Sequence, residues 1–314
     1  MGNYVLKRIG QTFIVLLLVT FFSFSLIHLL PGDTVYNLYG TDISKEKYEQ
    51  YKADLGLNDP FLVQYTNWIN KMFKLDFGQS ISYHQPVVNL IRKRMPITLY
   101  LAVMALALSI VLGVFFGTIC AVKRGTKIDT FITVIANIFA CAPQFWVGLA
   151  LVYLFSVYLK VLPSNGFTWP TVDLMKSIRL TAMPLFCLSV STLAAITRQS
   201  RSSMLEVINQ DYIRTAHSKG LRNSQVLIRH ALKNSLIPVI TLMGLRISVL
   251  FGGSPFVEFV FNIPGIGGLL VGSIMNRDLP MVQALVMIIA FIVSVSNLAV
   301  DLLYGYLNPK IRLR

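Results

Sequence analysis

The chain has 314 residues, with 28 Lys and Arg against 14 Asp and Glu, a formal charge of +14. Hydrophobic residues make up 54%, charged residues only 13%, and the mean hydropathy is +0.63. Soluble domains carry about a quarter charged residues, so this balance excludes a disordered tail, an ordinary soluble enzyme and a compact nucleic-acid binder. What remains is an all-α protein that crosses the lipid bilayer several times.

A bilayer core takes about 20 mostly apolar residues per helix, and six stretches satisfy this: 9–30, 97–120, 131–159, 180–197, 237–254 and 281–304. The first follows Lys7 and Arg8 as a signal peptide would. Its apolar run is long for a signal, however, and no small-x-small cleavage site precedes Pro31, so it reads as a retained first span over 1–30. Residues 31–96 are too long for a turn and read as a small outer domain. Within it 42–57 predicts an amphipathic helix, and 61–75 places Leu62, Tyr65, Trp68, Ile69 and Met72 on one helical face suited to a membrane surface or a pore mouth.

Basic residues are retained on the cytoplasmic side. With the N-terminus inside, the inner segments 1–8, 121–130, 198–236 and 305–314 hold 15 bases and three acids, while the outer segments 31–96, 160–179 and 255–280 hold 12 bases and 10 acids. Six spans with both termini cytoplasmic therefore place nearly all the excess charge on one side. Arg92-Lys93-Arg94, just outside the second span, runs against the pattern locally.

The inner connection 198–236 is polar, basic and rich in helix formers, with Gly220 in its middle; helices are expected over 200–218 and 223–235 with a break at Gly220. Met204, Leu205, Ile208, Ile213, Ala216, Val226 and Leu227 recur along it, which a merely solvated loop would not need. Charged groups at membrane depth are costly and mark function by default. Arg246, about nine residues into the fifth stretch, either lines a pathway, where its guanidinium would hold a substrate carboxylate, or pairs structurally with an acid on this or a neighbouring chain, for instance Asp301 or Glu258. Asp301 and His28 read as interfacial residues. Segment 252–280 crowds Gly252, Gly253, Gly265, Gly267, Gly268 and Gly272 with Pro255, Pro264 and Pro280 among apolar residues. Non-helical backbone at membrane depth survives only beside protein or a water-filled cavity, so a re-entrant or gate-like element is expected, the alternative being an outer loop lying on its own bundle.

Catalytic chemistry is not evident. The sequence has no G-x-x-x-x-G-K-[ST] phosphate loop, no H-E-x-x-H and no G-x-S-x-G; its four histidines are scattered, and Cys120, Cys141 and Cys187 sit in apolar surroundings without CxxC spacing. No metal site, no cofactor site and no catalytic residue is expected in this chain.

Between Asp211 and Leu221 the sequence reads DYIRTAHSKGL, followed by Ile237-Pro238. This resembles the cytoplasmic EAA-x-x-x-G motif of bacterial ABC importer permeases, in the D-Y-x-R-T-A-x-x-K-G form of the dipeptide/oligopeptide/nickel group's first-permease type. Glu-Ala-Ala itself is replaced by Arg214-Thr215-Ala216. Further similar stretches are Leu55-Gly56-Leu57, Leu75-Asp76-Phe77-Gly78, Pro96-Ile97-Thr98-Leu99, Ala142-Pro143-Gln144-Phe145-Trp146, Asn262-Ile263-Pro264-Gly265, Asn276-Arg277-Asp278, Asp301-Leu302-Leu303-Tyr304 and Asn308-Pro309-Lys310.

The resemblance implies a permease core over 97–314 in a bacterial plasma membrane. It also implies a second homologous permease subunit, two ATPase subunits that bind the ATP and magnesium, and an extracytoplasmic substrate-binding protein. The coupling hairpin would be 198–236, with Asp211, Arg214, Thr215, Ala216, Lys219, Gly220 and Leu221 meeting the ATPase. Pathway or gate candidates are Arg246, from its depth, and Glu258, Pro264, Gly265 and Asp278, from the Gly/Pro segment. Peptides and nickel or its chelates are both cargo options. A secondary transporter is the more distant alternative; it would need internal repeats or midplane acids, and neither is seen.

Overall fold

The structure, a computed structural model, describes residues 2–29, 35–36, 43–54 and 56–307. Asp42 and Leu55, within two of the stretches above, and Asn308-Pro309-Lys310 lie outside the described residues, as do the side chains of His28 and Gly253. The described residues contain no strand; an isolated antiparallel bridge joins Gln79 and Pro86. The helices are α1 (Gly2–Leu29), α2 (Lys45–Asp54), α3 (Phe61–Phe73), α4 (Val87–Val122), α5 (Lys127–Cys141), α6 (Gln144–Leu151), α7 (Leu174–Ile208), α8 (Asp211–Ser218), α9 (Lys233–Val260), α10 (Ile266–Met275) and α11 (Leu279–Leu307). A π-helical turn, Val152–Tyr158, extends α6, and another, Val226–Leu232, leads into α9.

Five helical stretches among the described residues are long and apolar enough to cross a bilayer: Val5–Ser25, Val87–Val122, Leu174–Ile208, Asn223–Gly252 and Leu279–Leu302. The expected continuous stretch 131–159 is instead a broken pair, Lys127–Cys141 and Gln144–Tyr158, bent by 108° at the break. Proline explains the break. Pro143 lacks an N–H and disfavours helical geometry at the preceding residue, and Ala142 is accordingly extended, with φ −74° and ψ 128°. Elsewhere proline is absorbed: Pro96, Pro184, Pro238 and Pro255 all lie inside helices. The Gly/Pro segment is therefore more helical than expected, since α9 runs through Gly252 and Pro255 to Val260, and only short turns separate it from α10 and α10 from α11.

The chain divides into two compact units. One comprises 97–268 with 295–307. Its hub is α7, which packs against α5, α6 and α9, around a core that includes Leu101, Ala105, Val147, Met183, Cys187, Leu188, Leu250, Val257 and Phe261. α4 reaches α7 through Gly113 and Gly117, a small-xxx-small pair that lets two backbones approach closely. A Cβ on Gly117 would stand 2.5 Å from the Ser200 Cβ and 2.6 Å from the Thr197 carbonyl oxygen. The Ser109 hydroxyl bonds the Ser189 carbonyl at 3.0 Å across the same contact.

The other unit comprises the described residues among 2–96, with 269–294. Here the aromatic face of α3 is turned onto α1 rather than left for a membrane surface. Tyr65 meets Phe21 and Phe24 at 5.5 Å between ring centroids, Trp68 meets Phe24 at 5.4 Å, and the Tyr65 and Thr20 hydroxyls are 2.9 Å apart. Aromatic pairs of this kind contribute about 0.5–1.5 kcal/mol each beyond the area they bury.

Candidate functional site

The hairpin around Gly220 is built from local signals. α7 continues without interruption to Ile208, and the chain turns at Asn209 and Gln210, a break that the sequence did not announce with Gly or Pro. α8 is eight residues long and two-faced. Ile213 and Ala216 are buried against Ala121, Met204, Val226 and Ala231, whereas Asp211, Tyr212, Arg214, Thr215, Lys219 and Leu221 face outward. Ala216 thus spends its small size on packing within its own chain.

Gly220 ends α8 with φ +76°, and its N–H bonds the His217 carbonyl at 2.9 Å. Nothing stands within 4 Å of where its Cβ would be, so backbone conformation rather than crowding within the chain calls for glycine there. The expected second arm, 223–235, is the beginning of the long apolar stretch Asn223–Gly252 and is not a separate element: Asn223–Gln225 and the π-helical Val226–Leu232 run directly into α9. The Asn234 side-chain amide donates to the Tyr212 hydroxyl at 3.1 Å and ties α8 to that helix. Arg214 and Asp211 approach to 3.4 Å, but both are largely exposed, and water and salt leave such a pair little energy.

The candidates of the Gly/Pro segment are held in two separate arrangements. Glu258 is fully buried near the end of α9. Its Oε1 accepts from the Thr98 hydroxyl at 2.7 Å and the Ser254 hydroxyl at 2.6 Å, and its Oε2 accepts from the Gly268 N–H at 2.9 Å. Thr98 in turn accepts from the Ile266 N–H at 2.9 Å. A Cβ on Gly265 would collide with the Glu258 carboxylate, so glycine there makes room for the acid. The turn reverses direction at Asn262 (φ +46°), and the Ile263 N–H closes back onto the Glu258 carbonyl at 2.8 Å, leaving Pro264 exposed at its tip.

Asp278 belongs to the other unit and is also fully buried. It caps α11, its Oδ2 accepting from the Ser80 hydroxyl at 2.5 Å and the Ser82 N–H at 3.1 Å, and its Oδ1 from the Met281 N–H at 3.4 Å. Arg277, with φ +53°, makes the turn before it.

Arg246 is half-buried on α9. Among the described residues no ion pair joins it to Asp301 or Glu258. Glu258, whose partners are hydroxyls and N–H groups, does not serve as its counter-ion. Arg198 donates to the Asn137 side chain at 3.4 Å.

Sequence reasoning passed over Thr98, Ser254, Asp129 and Arg201. Hydroxyls in apolar helices, and one acid and one base among many, carry no spacing of their own that would mark them. The carboxylate of Asp129 holds the Arg201 guanidinium through two contacts of 2.8 Å, the described ion pair with the closest geometry.

Residues 113–313 match the family described as "Binding-protein-dependent transport system inner membrane component", and residues 1–102 match its N-terminal companion, a binding-protein-dependent transport system membrane component. The chain belongs to this family. Similar full-length relatives of the permease include the oligopeptide transport system permease protein AppB of Bacillus subtilis, 39% identical over 314 residues and covering 99% of each chain. A putative peptide transport system permease protein of Brucella abortus is 38% identical over 313 residues, again 99% of each. A probable peptide ABC transporter permease protein of Sinorhizobium fredii is 36% identical over 312 residues, covering 99% of this permease and all of the relative. The protein is accordingly a multi-pass inner-membrane permease, and its family is one of transport components rather than of catalytic enzymes.

Proposed function

We propose that the permease forms half of the translocation pathway of an ATP-driven importer for di- and oligopeptides. A second homologous permease completes the pathway, two ATPase subunits dock beneath it, and an extracytoplasmic binding protein delivers cargo. The observation that carries this reading is the two-faced α8. One side is locked into the permease's own core, while Asp211, Arg214, Thr215, Lys219, Gly220 and Leu221 are left exposed at the tip. Such a tip has a rigid base and a free polar surface, as a handle for a neighbouring engine requires. Basic Arg222, Arg229 and Lys233 beside exposed Ile228 extend that surface toward an acidic and apolar partner.

The charge count supports cytoplasmic termini and an inner position for the hairpin, with 31–96 outside. Glu258 and Asp278 each act as a staple within their own unit, the first for the turn before α10 and the second for the turn after it. Arg246, with no ion pair among the described residues, is read as facing either cargo or the second permease. The similarity to permeases named for peptide transport supports peptides over nickel or a metal chelate.

The test is uptake by cells that express the complete set of subunits, comparing labelled oligopeptides with labelled nickel. Peptide uptake that is lost on deleting this permease supports the reading. Nickel uptake with no peptide uptake overturns the cargo assignment.

A further inference from the structure

α7 meets the broken pair α5–α6 along an antiparallel row of three polar contacts. At one end Arg201 Nε and Nη2 donate to Asp129 Oδ1 and Oδ2, both at 2.8 Å. One helical step on, Arg198 donates to Asn137 at 3.4 Å, and two turns further the Gln144 side-chain amide donates to the Ser191 hydroxyl at 3.3 Å. Positions 191, 198 and 201 lie on one face of α7, and 129, 137 and 144 climb the opposing elements in the reverse direction.

The three rungs are not equal. Two are single, long and uncharged on the accepting side, and they can slip at small cost. The first is bidentate and charged on both sides, with the acid's side chain 7% exposed. Asp129 also receives the Gly125 N–H at 3.1 Å and the Thr133 hydroxyl at 3.4 Å, so its carboxylate clamps the α4–α5 turn as well. A fork-to-fork geometry resists rotation in a way that a single bond does not.

This strong rung sits next to the hairpin. Met204, one turn along α7 from Arg201, is fully buried in the cluster with Ile213, Ala216, Val226 and Ala231. Displacement of α8 therefore bears on α7 within one turn of the pair.

We propose that Asp129 and Arg201 are a positioning pair, the fixed pivot through which movement of the hairpin 209–232 swings the broken span 127–158 against α7. The outer rungs at Asn137 and Gln144 give way while the inner one holds. The pivot rests on the reading that the hairpin receives the ATPase stroke, and it adds the route by which that stroke enters the spans.

The experiment uses the whole importer reconstituted in proteoliposomes with its binding protein, measuring ATP hydrolysis with and without loaded binding protein and peptide imported per ATP. For Asp129→Asn we expect the ATPases to co-purify as in the wild type and basal hydrolysis to persist, while peptide imported per ATP falls about tenfold, the size of an ordinary inter-site coupling. Arg201→Lys keeps the charge but loses the fork and should fall between the two. Asn137→Ala, at a rung expected to slip, should keep the wild-type ratio. An unchanged ratio in Asp129→Asn, even with lower thermal stability, makes the pair a structural tie and overturns the pivot. If Asp129→Asn does not assemble, Arg201→Lys decides by the same ratio. Failure of the hairpin reading looks different: ATPase binding and coupling would then be indifferent to substitutions at Gly220 and Leu221 as well, whereas failure of the pivot alone leaves those variants uncoupled.

Discussion

Replacing Gly117 by alanine adds one methyl group at the closest approach of two crossing helices. The new carbon would stand 2.5 Å from the Ser200 Cβ, 2.6 Å from the Thr197 carbonyl oxygen and 3.1 Å from the Arg201 nitrogen. Carbon atoms rest about 3.5–4.0 Å apart, so α4 and α7 must separate by roughly 1 Å along this contact. Two of the three obstructing atoms are main chain of α7 and cannot rotate away. Overpacking of this kind costs about 1–3 kcal/mol, and each kcal/mol moves the melting temperature of a medium-sized chain by about 2–4 °C. Gly252→Ala is the matched control: it is also helical, has nothing within 4 Å of the added atom, and should be neutral or slightly stabilising. Thermal unfolding of the purified permease in detergent, followed by tryptophan fluorescence, measures both. Equal melting temperatures for Gly117→Ala and the wild type would refute the close α4–α7 contact.

Gly220→Asn, which tolerates a left-handed backbone, should retain more ATPase co-purification than Gly220→Val. Equal loss in the two would mean that the ATPase, not the backbone, demands glycine there. Thr98→Val removes one donor to the buried Glu258 carboxylate and the acceptor for the Ile266 N–H, and should cost about 1–3 kcal/mol in the same unfolding assay, with no loss if the staple is incidental. Arg246→Gln should change the apparent KM for peptide uptake while leaving the amount of assembled complex unchanged; wild-type kinetics would assign Arg246 to structure alone.

The membrane-crossing helices were legible because bilayer length is a property of a single segment, readable without partners. The α8 motif was equally plain, since Gly220 marks its own turn. Pro143 did break its helix, but Pro96, Pro184, Pro238 and Pro255 did not, because neighbouring helices and local adjustments re-satisfy the freed backbone groups in a bundle. The break at Asn209-Gln210 carries no glycine or proline and was invisible. Glu258 stood out as an acid in an apolar, glycine-rich stretch, but its role as a staple depends on Thr98, 160 residues away in sequence. The Asp129–Arg201 pair spans 72 residues, and a separation of that size leaves no periodicity to read.

The central claim is that this permease moves cargo only when driven from its inner face by separate ATPases. The direct measurement is peptide accumulation in proteoliposomes that hold both permeases, with loaded binding protein outside, and the ATPases and ATP either supplied or withheld. Accumulation above the external concentration only when ATPases and ATP are both present is the predicted result. Accumulation against the gradient by the permeases alone would contradict it.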